Sequence, residues 1–98
     1  MLTHIVMWKL KDHAEGRTKA ENALWMKENL ESLLGQVPQL KSCTVGINSL
    51  ADDDAFDAVL ISTFDSEEDL QAYKVHPLHK AISQYCKKVR EKRVVVDF

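Results

Sequence analysis

Residues 56–64 read FDAVLISTF. The run is rich in β-branched and aromatic residues and follows the acidic loop NSLADDDA, so it reads as a strand. Its two faces are both apolar: Phe56, Ala58, Leu60 and Phe64 on one, Val59 and Ile61 on the other. A strand in an antiparallel sheet with one solvated face would alternate apolar and polar residues instead. What covers the second face therefore decides the architecture.

Thr3–Leu10 repeats the pattern, with His4, Val6, Trp8 and Leu10 opposite Ile5, Met7 and Lys9. A helix is expected from about Glu15 or Arg17 to Leu34. Ala20, Ala23, Leu24, Leu30 and Leu34 form its stripe, and Met26, Leu33 and Val37 widen it. Gly35 suits the C′ position and Pro38 prevents resumption. Ser42–Asn48 is a second strand in which Cys43, Val45 and Ile47 alternate. After Phe64, Ser66 caps a helix that places Glu67, Glu68 and Asp69 in its positive first turn, with Leu70 and Tyr73 inward. That helix must stop at His76, because a residue before proline is pushed out of the α region. Pro77 then opens a new helix with Leu78, Ile82, Tyr85 or Cys86, and Val89 on its inner side. Arg93–Phe98 is the last strand.

The order β-α-β-β-α-β predicts an α+β, ferredoxin-like protomer: a four-stranded antiparallel sheet with helices on one face. Ninety-eight residues make a single domain, 1–98, and leave no chain to cover the other face. A second copy can cover it by packing sheet on sheet, so a homodimer forming a dimeric α/β barrel is expected.

Composition narrows the function. With 45% hydrophobic and 29% charged residues the chain is ordered, and a net charge of -2 gives no reason to expect nucleic acid or an anionic membrane as partner. The seven Lys and Arg between Lys74 and Arg93 read as a solvated helix face. Cys43 and Cys86 form no CxxC pair and fall on apolar faces, as inert core thiols of a reduced compartment do. The apolar run in MLTHIVMWKLK is shorter than a signal-peptide core, and no stretch approaches a membrane span, so a cytoplasmic chain is expected. There is no GxGxxG or P-loop, so dinucleotide and nucleotide chemistry have no support, and no cofactor is expected. His76 and His79 lack an HExxH frame, and Asp52–Asp54 lack the glycine and distal glutamate of a calcium loop, so no metal is expected.

The groups that carry chemistry gather in YKVHPLHK, residues 73–80. His79 lies in the first turn of the last helix, where an imidazole is biased toward neutral and can serve as a base. Tyr73, one broken turn earlier, can donate to a developing enolate oxygen. The alternative is that Tyr73 packs on the sheet while His79 bonds backbone. His76 is placed to cap the helix after it, and His4 reads as a satisfied core histidine.

The opening HIVMWKLK, the segment TFDSEEDLQAYKVHPLH and the closing VVVDF resemble the stress-responsive α/β-barrel domain family (Dabb) of the dimeric α/β barrels. The most specific element is Y-x-x-H-P-x-H at Tyr73, His76, Pro77 and His79. The family includes olivetolic acid cyclase, a plant enzyme in which a tyrosine–histidine pair promotes an intramolecular aldol condensation in a pocket between sheet and helices. The resemblance implies Tyr73 and His79 as the catalytic pair and His4 as a pocket histidine; Val6, Trp8 and His76 complete the expected substrate-binding set. Ala58 stands where the cyclase has a further pocket histidine, and Trp8 is bulkier than the aliphatic residue expected there. Three readings stand open: binding of a small apolar or carbonyl compound with cyclase- or lyase-like acid–base chemistry, a non-enzymatic dimeric stress protein, or a cofactor-free monooxygenase.

Overall fold

Residues 1–98 are all described by the computed structural model. Its elements are β1 (Leu2–Leu10), β2 (His13–Ala14), β3 (Arg17–Thr18), α1 (Lys19–Glu31), β4 (Ser42–Ile47), β5 (Ala58–Phe64), α2 (Glu67–Val75), α3 (Pro77–Val89) and β6 (Arg90–Asp97). The sheet runs β4-β5-β1-β6 with every pair antiparallel, the ferredoxin-like arrangement. β2 and β3 form a separate small hairpin.

Register assigns the faces. Val6 stands between Leu60 and Val95, and Trp8 between Ala58 and Arg93. The inward set of His4, Val6, Trp8 and Leu10 on β1, with Ala58, Leu60, Ser62 and Phe64 on β5, is buried beneath the helices. The opposite face carries Ile5 between Ile61 and Val96, and Met7 between Val59 and Val94. Met7, Ile61 and Val96 are 40%, 43% and 61% exposed, so six neighbouring apolar side chains lie on a face that this chain leaves bare.

Three expectations about the first helix need correction: its start, its stripe, and its end, which falls at Glu31 with Ser32 as C-cap and not at Leu34 with Gly35 as C′. It starts only at Lys19, because residues 13–18 turn back as a hairpin with Glu15 and Gly16 at φ 52° and 74°. Thr18 then closes a capping box: its hydroxyl accepts the Glu21 N–H at 3.2 Å while its own N–H donates to Glu21 at 3.0 Å. The stripe is also rotated from the one expected. Leu24 and Leu34 are 49% and 47% exposed, whereas Asn22 and Met26 are fully buried. Asn22 is drawn inward by tertiary hydrogen bonds, since its Nδ2 donates to the Ala14 carbonyl at 3.1 Å and its Oδ1 accepts from the Tyr85 hydroxyl at 2.5 Å. Tyr85 in turn accepts from Arg17 at 2.6 Å and stacks on Trp25, tying the hairpin to α1 and α3. The helix ends at Glu31, and the chain reverses through turns that include Gly35 at φ 89°. β6 begins at Arg90, three residues earlier than the sequence pattern predicts.

The α2–α3 junction matches its sequence signals. His76 sits at φ −62°, ψ 134°, outside the α region, and Pro77 is the first residue of α3. Pro77→Ala restores an amide hydrogen and frees both residues, so amide exchange across residues 72–82 is expected to rise while the fold is kept. Unchanged exchange there would show that the break does not depend on the proline.

Candidate functional site at the broken helix

The break decides which hydrogen bonds are left over. In an unbroken helix the Tyr73 carbonyl would accept from residue 77, which is a proline; here it accepts from the His76 N–H at 3.2 Å. The Leu78 N–H, which would otherwise serve the Lys74 carbonyl, donates to His76 Nδ1 at 3.1 Å. The freed Lys74 carbonyl pairs with His79 Nδ1 at 3.1 Å. A carbonyl only accepts, so His79 carries its proton on Nδ1 and keeps a lone pair on Nε2.

His79 forms part of the wall of a cavity of about 290 Å³ between the sheet and α3. Val6, Trp8, Leu30 and Leu60 give it an apolar floor, and His4 joins the wall from β1. Ser83 and Cys86 contribute from α3. Lys74, Lys87, Arg90 and Arg93 complete the lining; all four are half-buried or exposed and so form the mouth.

Burial sets the protonation of both histidines. It holds His79 below the ordinary imidazole value against the upward pull of the bond to the Lys74 carbonyl, and the Arg93 and Lys74 cations press the same way as burial. Burial also lowers His4, although Asp97 pulls upward by bonding His4 Nδ1. Two neutral imidazoles thus meet at one cavity. Sequence reasoning does not single out Asp97: it lies 93 residues from His4, and only the β1–β6 register makes them partners.

The expected site residues separate on folding. His4, Val6, Trp8 and His79 are brought together around the cavity. His76 caps α3 and does not line it. Tyr73 is fully buried behind the wall, with its ring 4.3 Å from the His79 ring and 5.1 Å from Phe64. Its hydroxyl has no hydrogen-bond partner, and burial raises its pKa well above the ordinary phenol range. The Cys86 thiol is likewise pushed up by burial, to about 11. No group of three or more His, Cys, Asp or Glu gathers as a metal site, and no helix is long and apolar enough to cross a membrane.

Comparison with known proteins places this geometry in context. Residues 2–98 match the family described as Stress responsive A/B Barrel Domain (Dabb). A stress-response A/B barrel domain-containing protein of Arabidopsis thaliana is 35% identical over 79 residues, which cover 81% of this chain and 28% of that protein. The chain thus spans little more than a quarter of that relative's length. A dimeric protein of unknown function with a ferredoxin-like fold from Bacteroides fragilis NCTC 9343 superposes with a TM-score of 0.87 at 29% identity, covering 99% of this chain and 93% of the other. A hydroxynitrile lyase from Passiflora edulis shares the fold, with a TM-score of 0.81 at 20% identity over 99% of this chain and 90% of that one.

The orphaned phenol has a measurable consequence. A buried hydroxyl without a partner costs ~1–3 kcal/mol, so Tyr73→Phe removes a penalty and keeps the ring packing. Its melting temperature is expected to rise by several degrees, since ~1 kcal/mol moves a domain of this size by about 4–8 °C. A lower melting temperature would show that the hydroxyl has a bonded partner in solution.

Proposed function

Because this chain belongs to the stress responsive A/B barrel domain family, we propose that it binds a small carbonyl compound in the cavity beside His79 and promotes removal of a proton next to the carbonyl. The observation that carries this reading is the His79 ring: one nitrogen is tied to the Lys74 carbonyl, and the other is free at the wall of a cavity with an apolar floor. Such a ring is a neutral general base at pH 7. His4, held through its Nδ1 by Asp97, adds a second imidazole on the same wall. Tyr73 is the proposed donor to the enolate oxygen. Its hydroxyl has no acceptor in the chain, and its ring lies 4.3 Å from the His79 ring, which lines the cavity. A carbonyl oxygen that reaches the hydroxyl would satisfy it.

The rival reading is a non-enzymatic stress-response protein in which these residues brace the helix junction. The burial of Tyr73 behind the wall is the observation in its favour. Either way, the proposed working form is a homodimer that packs the bare sheet faces together. Each valine or isoleucine removed from water there contributes ~1.5–3 kcal/mol. The described state of the Bacteroides fragilis protein supports the same assembly.

Both parts have direct tests. Ile61→Lys puts a charge in the middle of the bare face, where an unpaired buried charge is strongly disfavoured. Sedimentation equilibrium is expected to show dimer for the wild type and monomer for this variant; a folded wild-type monomer at micromolar concentration would refute the assembly.

The base is tested by deuterium incorporation next to the carbonyl across a panel of small aldehydes and ketones in D2O. His79→Ala should reduce exchange by about 10²-fold or more without unfolding the protein. Only the neutral ring accepts a proton, and burial lowers its pKa from 6.5. The rate should therefore be fully developed at pH 7 and fall as pH drops below 6.5. A rate insensitive to His79, or a midpoint above 6.5, would favour the bracing role.

A further inference from the structure

Of the seven Lys and Arg between Lys74 and Arg93, four converge on the cavity: Lys74 from α2, Lys87 from α3, and Arg90 and Arg93 from β6. The sequence pattern predicts a solvated helix face, which fits Lys80 and Lys88 on α3, whereas Lys92 lies on β6. Lys88 meets Glu15 at 3.6 Å, Lys92 lies over the Phe56 ring, and Lys80 is exposed. The four around the cavity behave differently. None takes part in any of the chain's six ion pairs, and no Asp or Glu is among the twelve lining residues. This is not compositional, because acids outnumber bases in the chain by 15 to 13. Asp97, a carboxylate close enough to act on Arg93, is itself bonded to His4.

Like charges crowded around one opening repel and focus a positive potential into it. Arg93 registers this directly: burial and the neighbouring Arg90 both disfavour its charge. The floor beneath is apolar, through Val6, Trp8 and Leu60. We propose that the cavity is a receptor for an organic anion, whose apolar body rests on this floor while its carboxylate or phosphate head sits among the cations at the mouth. The volume of about 290 Å³ suits roughly ten non-hydrogen atoms, taking ~30 Å³ as the share of one water molecule. The inference rests on the cavity reading above and fixes the charge of its ligand. An ionised head at the mouth leaves the rest of the molecule to face His79 and His4.

The test reads binding, not turnover. The ¹⁵N-labelled wild type is titrated with benzoate, phenyl phosphate, benzyl alcohol and inorganic phosphate, following amide shifts. Benzoate or phenyl phosphate is expected to move the amides of residues 4–8 and 83–93 and to bind at least tenfold more tightly than benzyl alcohol. The tighter of the two identifies the head group. Both should weaken as salt rises, because the mouth is partly exposed. The double variant Arg90→Gln/Arg93→Gln should lose at least tenfold in anion affinity and leave benzyl alcohol unaffected. Should that variant fail to fold, Lys74→Gln/Lys87→Gln, placed on the helices instead, is expected to weaken anion binding in the same direction. Equal affinity for benzoate and benzyl alcohol, or unchanged anion affinity in the folded variant, overturns the proposal. Inorganic phosphate binding as well as phenyl phosphate would also overturn it, since the apolar body would then contribute nothing. If anions fail to bind while His79-dependent proton exchange persists, this inference falls alone; the reverse result removes the base and keeps the receptor.

Discussion

The hydrogen atom that Pro77 lacks organises this molecule's chemistry. Without it the Tyr73 carbonyl cannot be served from the next turn, and His76 takes over that bond before leaving the α region. The His76 imidazole then captures the Leu78 amide, which leaves the Lys74 carbonyl for His79. Each replacement follows from the rule that buried backbone groups must be paired. An absent donor thereby fixes the tautomer of an imidazole two residues further on. The cavity over Val6 and Trp8 is lined from α3, the helix that starts at this break, by His79, Ser83, Cys86 and Lys87.

The sheet makes use of both faces because β1 and β5 are apolar on both. Facing the helices, alternate residues supply the core and then, toward the β6 edge, the cavity. Facing away, Ile5, Met7 and Ile61 with their neighbours form a surface that has no reason to stay wet. The proposed assembly face and the cavity thus lie on opposite sides of one layer. Changes in either surface need not disturb the other.

The order of elements was legible because strand alternation and helix punctuation are local signals. Ser66, His76 and Pro77 each act within a turn of themselves, and each behaves as its type demands. The first helix was less legible. Leu24 and Leu34 look like stripe residues by spacing, yet Asn22 faces inward because its partners, Ala14 and Tyr85, come from the hairpin and from α3. The Glu15-Gly16 pair and the T-x-x-E box at Thr18 and Glu21 were the available signals for the hairpin and the true helix start. At the site, the Tyr73–His79 contact follows from the motif, whereas the Asp97–His4 pair and the cationic mouth depend on long-range register. No window of sequence shows that Arg93 lies opposite Trp8.

Cys86 gives the cavity one more property. A thiol on the wall of a site proposed to admit carbonyl compounds invites addition to the bound molecule, which would tether it and stop release. Only the thiolate adds readily, and with a pKa of about 11 its fraction at neutral pH is ~10⁻⁴. Burial therefore acts as a chemical passivation of the wall. The sulfur supplies soft, polarizable contact to whatever enters, while the imidazoles beside it remain the only groups there with a lone pair ready to react.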